Sequence, residues 1–128
     1  MRIDEIKSFE DNLGTLLPLE FKTVGFKPER LFIVNNVPVG SIRGNHSHYN
    51  TKQFLICVRG EVRVFFDDGV NKKSVLLKRH EAVMIPELIW DSQEFLTEGT
   101  EILVICSTEY DIDDYILDYT HFKSIVIK

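Results

Sequence analysis

The sequence has few cysteines, no excess of positive charge and no long apolar run. Its two cysteines, Cys57 and Cys106, lie far apart in apolar segments, which predicts two buried thiols rather than a disulfide. Fifteen Lys and Arg residues stand against 20 Asp and Glu residues, and the resulting charge of −5 argues against nucleic acid as a partner. No segment has the roughly 18 to 20 apolar residues of a membrane span, and the amino terminus does not read as a signal peptide. We therefore expect a cytoplasmic protein with no membrane partner.

Length and composition are typical of one folded domain. Hydrophobic residues make up 44% of the chain and charged residues 27%, the balance of a globular protein. A chain of 128 residues suits a single domain, here 1–128, and no internal repeat or Gly-rich dinucleotide fingerprint is present. The sequence therefore gives no sign of a second domain or of a nicotinamide cofactor.

Short β-type segments separated by turns dominate the chain. Asp68-Gly69 after an alternating apolar segment is a strong hairpin signal, because glycine accepts the positive φ of the turn. Many short strands with almost no helix predict an all-β antiparallel sandwich or small barrel. The predicted strands are Leu31–Val37, Gln53–Val58, Glu61–Phe66, Lys73–Leu77, Ala82–Pro86, Ile89–Phe95 and Glu101–Ser107.

Both ends of the chain carry additional elements. The segments 3–9 and 15–20 flank a turn and predict an N-terminal hairpin within residues 1–22. Near the other end, Asp111 is a suitable N-cap, and aromatic residues recur after it at helical spacing. This pattern predicts one short amphipathic helix over residues 112–122 that closes an end of the β domain.

The most informative segment contains His46-Ser47-His48. Side chains alternate with a period of two along a strand, so His-x-His directs both imidazoles to the same face. Two such histidines can bind a metal ion or handle protons near neutral pH. A combination of His46, His48 and Asp91 would be a two-His-one-carboxylate set suited to non-haem iron, whereas Gln53 is a poor ligand for a divalent cation. Both chemistries remain open from these residues alone.

A family resemblance narrows this choice. Gly40, His46, His48, Gln53 and Gly60 follow the spacing of the first cupin motif. The chain also resembles the nucleotide-sugar 3,4-ketoisomerases, small cupins that act on dTDP-4-keto-6-deoxyglucose. The resemblance implies a cupin-type antiparallel β-sandwich or small barrel (jelly roll) with one short C-terminal α-helix. The segments that carry it are 43–48, Phe66-Asp67-Asp68-Gly69, Ile85-Pro86 to Trp90, and Ser107 to Tyr119, with Asp11 to Glu20 near the start.

The resemblance implies an isomerase without metal or cofactor. The keto group moves from C4 to C3 of the sugar through an enediol or enediolate, in the biosynthesis of 3-amino-3,6-dideoxyhexoses for bacterial surface glycans. By the family pattern, His48 abstracts the C3 proton and His46 relays a proton between the oxygens or delivers one to C4. Arg43 can stabilise the oxyanion or hold a phosphate oxygen. The family also implies a homodimer with exchanged N-terminal strands.

The expected partner is a dTDP-linked 4-keto-6-deoxyhexose. Its diphosphate requires cations, and its base requires an apolar face on which Trp90 could stack. The candidate substrate-binding residues are Lys52, Gln53, Arg59, Arg63, Arg79, Trp90, Asp91, Tyr49 and Glu20.

The chain departs from the family pattern at Leu13, Tyr49 and Asp91. The first and last of these positions are tied, in the family, to the face of C4 that receives a proton, so the configuration of the product is open. An ionised Asp91 would raise the pKa of both histidines. Two alternative functions are a metal-dependent dioxygenase that uses His46, His48 and Asp91, and a sugar-binding module without catalysis.

Overall fold

The structure is a computed structural model that describes residues 2–127; Met1 and Lys128, at the ends of the predicted 1–128 domain, lie outside the described residues. It consists mainly of antiparallel strands, with two short helices. The strands are β1 (Ile3–Glu5), β2 (Phe9–Asp11), β3 (Gly14–Leu16), β4 (Arg30–Val34), β5 (Ile42–His48), β6 (Gln53–Arg59), β7 (Val62–Asp67), β8 (Lys72–Leu77), β9 (Glu81–Ile85), β10 (Trp90–Phe95), β11 (Glu101–Cys106) and β12 (Tyr115–Ile116). The helices are α1 (Phe21–Val24) and α2 (Tyr119–Val126).

Two five-stranded antiparallel sheets form the body of the domain. The first sheet has the order β1-β9-β6-β11-β4 and the second the order β12-β5-β10-β7-β8. Between them lies a core of alternating inward side chains, such as Val62, Val64 and Phe66 of β7, each less than 4% exposed. This arrangement confirms the predicted all-β, cupin-type sandwich. Each such buried side chain stabilises the fold by about 1.5–3 kcal/mol.

Strands β5 and β10 approach each other closely at Gly44. This residue has a φ of 94°, and a Cβ atom there would lie 3.0 Å from the Asp91 carbonyl oxygen and 3.1 Å from the Gln93 side chain. Only glycine combines that backbone conformation with such close packing. The contact brings His46 opposite Asp91 in the ladder, next to a register shift between Asp91 and Ser92. Gly44 thus positions two chemically active side chains on neighbouring strands.

The N-terminal segment forms a smaller hairpin than the one predicted, and part of it joins the main sheet. The hairpin is formed by β2 and β3, whereas β1 leaves it and pairs with β9 of the first sheet. The expected strand over 15–20 ends early, and Glu20 is the residue before helix α1, which the strand pattern did not predict. Thus the 1–22 unit contains a smaller hairpin and one strand of the main sheet.

The helix predicted at 112–122 is wrong in position. Asp111 does accept a hydrogen bond as a cap, from the Asp113 backbone amide, but it caps only a 3₁₀ turn over Ile112–Asp114. The chain then becomes extended as β12, because its backbone pairs with β5. A second cap, Asp118, begins the actual helix α2 by accepting from the Thr120 amide.

The remaining predictions from composition concern cysteine and membrane spans. Cys57 and Cys106 are both buried free thiols, as predicted, and burial raises the pKa of Cys57 to about 12. Neither of the helices described in residues 2–127 has the length and apolar character needed to cross a membrane.

Candidate active site

A cavity of about 330 Å³ lies between the two sheets, and His46 of the predicted histidine segment lines it. We call it the central cavity. Apolar side chains from β4, β6 and β11 cover much of its wall, and a few polar groups converge on it, the usual composition of a small-molecule site. Its polar side chains are those of Arg30, Arg43, His46, Gln53, Asp91, Gln93 and Tyr115.

The two histidines lie on one face of β5, as the period of two predicts. Their ring centroids are 5.1 Å apart, and Ser47 between them is buried on the opposite side. Tyr115 of β12 packs against both rings, with centroid distances of 5.2 Å to His46 and 4.3 Å to His48. The edge strand β12 therefore holds both imidazoles in place, and His46 and Tyr115 line the central cavity.

His48 forms a hydrogen-bonded pair with Asp114. The Nδ1 atom of His48 lies 3.2 Å from the Asp114 Oδ2 atom, and the His48 side chain is 5% exposed. A neutral imidazole that donates from Nδ1 carries its lone pair on Nε2. That Nε2 atom is buried and has no hydrogen-bond partner within residues 2–127. His48 is thus preset in the tautomer of a general base with its basic nitrogen free.

Asp114 is itself held as an anion. It accepts hydrogen bonds from the Asn50 backbone amide at 2.9 Å and from the Thr51 hydroxyl, which also contacts the Thr108 hydroxyl at 2.6 Å. Burial acts to raise the pKa of Asp114, but the hydrogen bonds from Thr51, Asn50 and His48 lower it overall. A carboxylate with this pKa orients His48 and stabilises its protonated form.

Both histidines are neutral at neutral pH. Burial lowers the pKa of His46 to about 4, with a further lowering from the charge of His48. Burial also lowers the pKa of His48, although the hydrogen bond to Asp114 acts in the opposite direction. Two neutral imidazoles suit proton abstraction better than proton donation.

Asp91 contradicts the expectation that its charge would raise the pKa of the histidines. Its side chain is 1% exposed, and burial raises its pKa to about 7, against the lowering effect of the Gln93 hydrogen bond. The histidine pKa values are lowered, and no contribution from Asp91 opposes that. A buried carboxyl takes up a proton because its ionised form is poorly solvated.

The geometry does not favour the alternative metal site. Within residues 2–127, no three His, Cys, Asp or Glu side chains are arranged to hold one metal ion. The His48 Nδ1 atom is engaged by Asp114, and Asp91 Oδ1 accepts from Gln93. Gln53 is buried and donates to Cys106 Sγ at 3.6 Å. Each of these side chains is directed to its own protein partner rather than to a common point where a metal ion could bind.

Of the predicted site residues, Arg43, His46, Gln53 and Asp91 line the central cavity, and His48 lies next to His46 behind its wall. The others do not line the central cavity in this chain. Lys52 is near Glu87 at 3.9 Å, Arg79 is near Glu10 at 3.6 Å, and Trp90 packs on Tyr119 on the outer side of the second sheet. The other predicted site residues that do not line the central cavity are Glu20, Tyr49, Arg59 and Arg63.

Sequence reasoning missed four residues of the site: Arg30, Gln93, Asp114 and Tyr115. Asp114 and Tyr115 lie within the segment 112–122, where the aromatic spacing predicts a helix and gives no sign of a site. Arg30 is the first residue of β4 and contacts the rings of Phe32 and Tyr110, at 4.8 and 5.2 Å from the ring centroids. Gln93 could have been found, since it follows Asp91 at the period of two that places both on one face.

Comparisons with known proteins agree with this geometry. Residues 1–127 match the family model described as FdtA: WxcM-like, C-terminal. A curated relative from Aneurinibacillus thermoaerophilus, named TDP-4-oxo-6-deoxy-alpha-D-glucose-3,4-oxoisomerase, is 26% identical over 99% of this chain and 93% of its own.

Similar solved structures are also named as 3,4-ketoisomerases. A 3,4-ketoisomerase from Helicobacter canadensis superposes with a TM-score of 0.91 at 29% identity, over 99% of this chain and 97% of the other. QdtA, a sugar 3,4-ketoisomerase from Thermoanaerobacterium thermosaccharolyticum in complex with TDP, gives a TM-score of 0.90 at 29% identity, over 98% and 93%. The similarity extends over whole chains and is not confined to the histidine motif.

Proposed function

This chain belongs to the FdtA (WxcM-like, C-terminal) family, and we propose that it is a 3,4-ketoisomerase that moves the keto group of dTDP-4-keto-6-deoxy-D-glucose from C4 to C3. The names of its relatives support the substrate and the reaction. The observation that carries the proposal is the buried, unpartnered Nε2 atom of His48, which Asp114 fixes next to His46 in the wall of a cavity of about 330 Å³. An isomerisation of this kind needs no hydride acceptor.

The reaction begins with loss of the C3 proton, which the neighbouring C4 carbonyl acidifies. His48 takes this proton on Nε2, and Asp114 stabilises the imidazolium that results. The negative charge develops on the C4 oxygen, and Arg43 supplies a permanent cation at the cavity wall to stabilise it. Return of a proton to C4 then completes the conversion to the 3-keto sugar.

Arg30 and Arg43 also supply positive charge for the diphosphate of the nucleotide. Both lie on the cavity wall, on β4 and β5. Guanidinium groups match phosphate oxygens through forked donors, which makes these two the first candidates in this chain. Lys52, Arg59, Arg63 and Arg79 are further candidates if a second copy closes the site.

We propose in addition that the enzyme is a homodimer that pairs through its N-terminal strands. The β2–β3 hairpin exposes apolar side chains to solvent: Leu13 is 91% exposed, Leu16 65% and Phe9 52%. On the edge strand β4, Leu31 and Ile33 are exposed as well. A second copy would cover both the apolar hairpin and a free sheet edge.

Light scattering tests the dimer. We expect two copies per particle at micromolar concentration, and we expect Leu16→Lys to shift the protein toward one copy. Val70→Lys, an equally exposed apolar position at the β7–β8 turn, is the matched control and leaves the mass unchanged. A monodisperse wild-type monomer would contradict the proposal.

Incubation with dTDP-4-keto-6-deoxyglucose in deuterated water tests the reaction. Wild type is expected to form a 3-keto product that carries deuterium, and the configuration at C4 identifies the galacto or gluco product. His48→Asn is expected to lower product formation by at least about 100-fold, the usual contribution of a general base. His121→Asn, on the exposed side of α2, is the control. If wild type neither converts the sugar nor incorporates deuterium, the proposed function is wrong.

A further inference from the structure

Asp91 and Gln93 form a buried pair on the cavity face of β10. The Gln93 Nε2 atom donates to Asp91 Oδ1 at 2.6 Å, while Asp91 Oδ2 has no hydrogen-bond partner within residues 2–127. Because the amide already donates to Oδ1, the proton of a neutral Asp91 lies on Oδ2. Asp91 therefore presents one acidic oxygen that no protein group uses.

The surroundings of Asp91 favour its uncharged form. The other side chains at the cavity wall that carry or take up charge are Arg43 and His46 of β5, Arg30 of β4 and Tyr115 of β12. In the described part of the chain, none of these groups forms an ion pair with Asp91. Strand β7, on the other side of β10, places Phe66 opposite it. Desolvation is thus not compensated by an opposite charge, and the pKa of Asp91 rises to about 7.

Besides the loss of a proton from C3 and the gain of one at C4, the isomerisation requires two proton transfers at oxygen. The C4 oxygen must gain a proton when the enediol forms, and the C3 oxygen must lose one when the new ketone forms. His46 is a poor donor for the first transfer, because its pKa of about 4 leaves it neutral. Among the other cavity residues, neither arginine releases a proton at neutral pH.

We propose that Asp91 is the catalytic group that carries the proton between the two sugar oxygens. This inference rests on the proposed function. Asp91 Oδ2–H donates to the C4 oxygen while His48 removes the C3 proton, which leaves an enediol and a carboxylate. The Asp91 carboxylate then takes the proton of the C3 hydroxyl as the C3 carbonyl forms, while C4 receives the proton held by the His48 imidazolium, which exchanges with solvent, and His48 returns to its neutral form. Asp91 ends protonated as it began, so the step is balanced without any other reactant.

The first test is Asp91→Asn, which keeps the shape and the acceptor for Gln93 but has no acidic proton. We expect product formation to fall by about 100-fold or more, with TDP affinity within about threefold of wild type. The control is Glu94→Gln, which removes a carboxylate from the opposite face of the same strand. An Asp91→Asn variant that forms product within threefold of that control would overturn the inference. A wild type that forms no product at all would instead overturn the proposed function.

The second test uses the pH profile, which a purely structural Asp91 would not control. Product formation in wild type is expected to fall as the pH rises above about 7, because ionised Asp91 has no proton to donate. Gln93→Leu removes a hydrogen bond that lowers the pKa of Asp91, so the alkaline limb should move to higher pH. The pH profile of the residual activity of Asp91→Asn should have no such alkaline limb.

A wild-type profile without an alkaline limb near neutral pH overturns the inference even if Asp91→Asn does not fold. So does a limb that Gln93→Leu leaves in place or moves to lower pH. The same inference is sunk by a folded Asp91→Asn enzyme that loses activity but keeps the limb. In each of these cases conversion of the sugar by wild type would still support the ketoisomerase.

Discussion

Two carboxyl groups, Asp114 and Asp91, lie on opposite sides of the histidines and have pKa values shifted in opposite directions. Asp114 receives hydrogen bonds from Thr51, Asn50 and His48, and its pKa is lowered. Asp91 receives one, from Gln93, and its pKa is raised to about 7. Asp91 is buried whereas Asp114 is only half-buried, so the difference in burial and the number of donors together decide which carboxyl favours the anion and which favours the acid.

This difference suits the two roles that we propose for these carboxyls. An anion beside His48 strengthens the base by stabilising its protonated form, and a neutral acid across the cavity can protonate an oxygen. If the two environments were exchanged, a neutral Asp114 would leave His48 a weaker base. An ionised Asp91 would have no proton to give. Changes to either carboxyl or its donors therefore test the comparison directly.

The largest effect is expected from Asp114→Asn. A neutral amide neither fixes the His48 tautomer nor stabilises imidazolium, so product formation should fall by about 1000-fold. Loss of Asp114 also removes the contribution that raises the pKa of His48, so any acid limb should move to lower pH. The measurement is initial rate against pH with dTDP-4-keto-6-deoxyglucose. Asp113→Asn, the exposed neighbour, serves as control, and a loss below tenfold in Asp114→Asn would count against the pair.

A smaller effect, on stability, is expected from Asp91→Asn. Since the folded pKa of Asp91 is raised from 3.8 to about 7, the folded state binds more protons than the unfolded state between these values. The free energy of unfolding of wild type therefore decreases as the pH rises through this window, by up to about 4 kcal/mol. The free energy of unfolding of Asp91→Asn should not decrease in this way, because the asparagine side chain does not ionise. Urea unfolding at pH 4.5 and pH 8 should show the variant gaining on wild type at the higher pH.

Glu94→Gln is the control for that measurement and should follow wild type at both pH values. An Asp91→Asn protein that is destabilised equally at pH 4.5 and pH 8 would mean that Asp91 is ionised in the folded state. The contrast with Asp114 would then disappear.

The smallest effect is expected from Thr51→Val, which removes one donor from Asp114. A hydrogen bond to a charged group contributes about 2 kcal/mol, so the free energy of unfolding at pH 7 should fall by roughly that amount. Because the folded pKa of Asp114 is lowered, its contribution is present above the unfolded pKa and is lost as the pH falls through the folded pKa. Urea unfolding at pH 3 should therefore show a smaller difference. Thr23→Val on α1 is the control, and an equal loss at both pH values would contradict the account.

The sequence predicted the strands and the two histidines because both rest on local periodicity. Alternation along β5 was enough to place His46 and His48 on one face, and turn residues marked most strand ends. The same local reasoning failed for Asp114 and Tyr115. Their aromatic and acidic pattern fits a helix, but pairing of β12 with a strand far away in the chain decides their conformation.

The direction of individual side chains was the other property of the site that the sequence did not predict. Trp90 and Asp91 are neighbours in sequence, yet they face opposite sides of β10, so only Asp91 lines the central cavity. The protonation of Asp91 could not be read from its residue type, because it depends on burial and on Gln93. These are properties of packing between elements rather than of any one segment.

The bond between His48 and Asp114 joins residues 66 positions apart. During synthesis the imidazoles leave the ribosome long before their carboxylate partner does. An incomplete polypeptide thus carries the whole histidine motif and still lacks an oriented, strengthened proton acceptor.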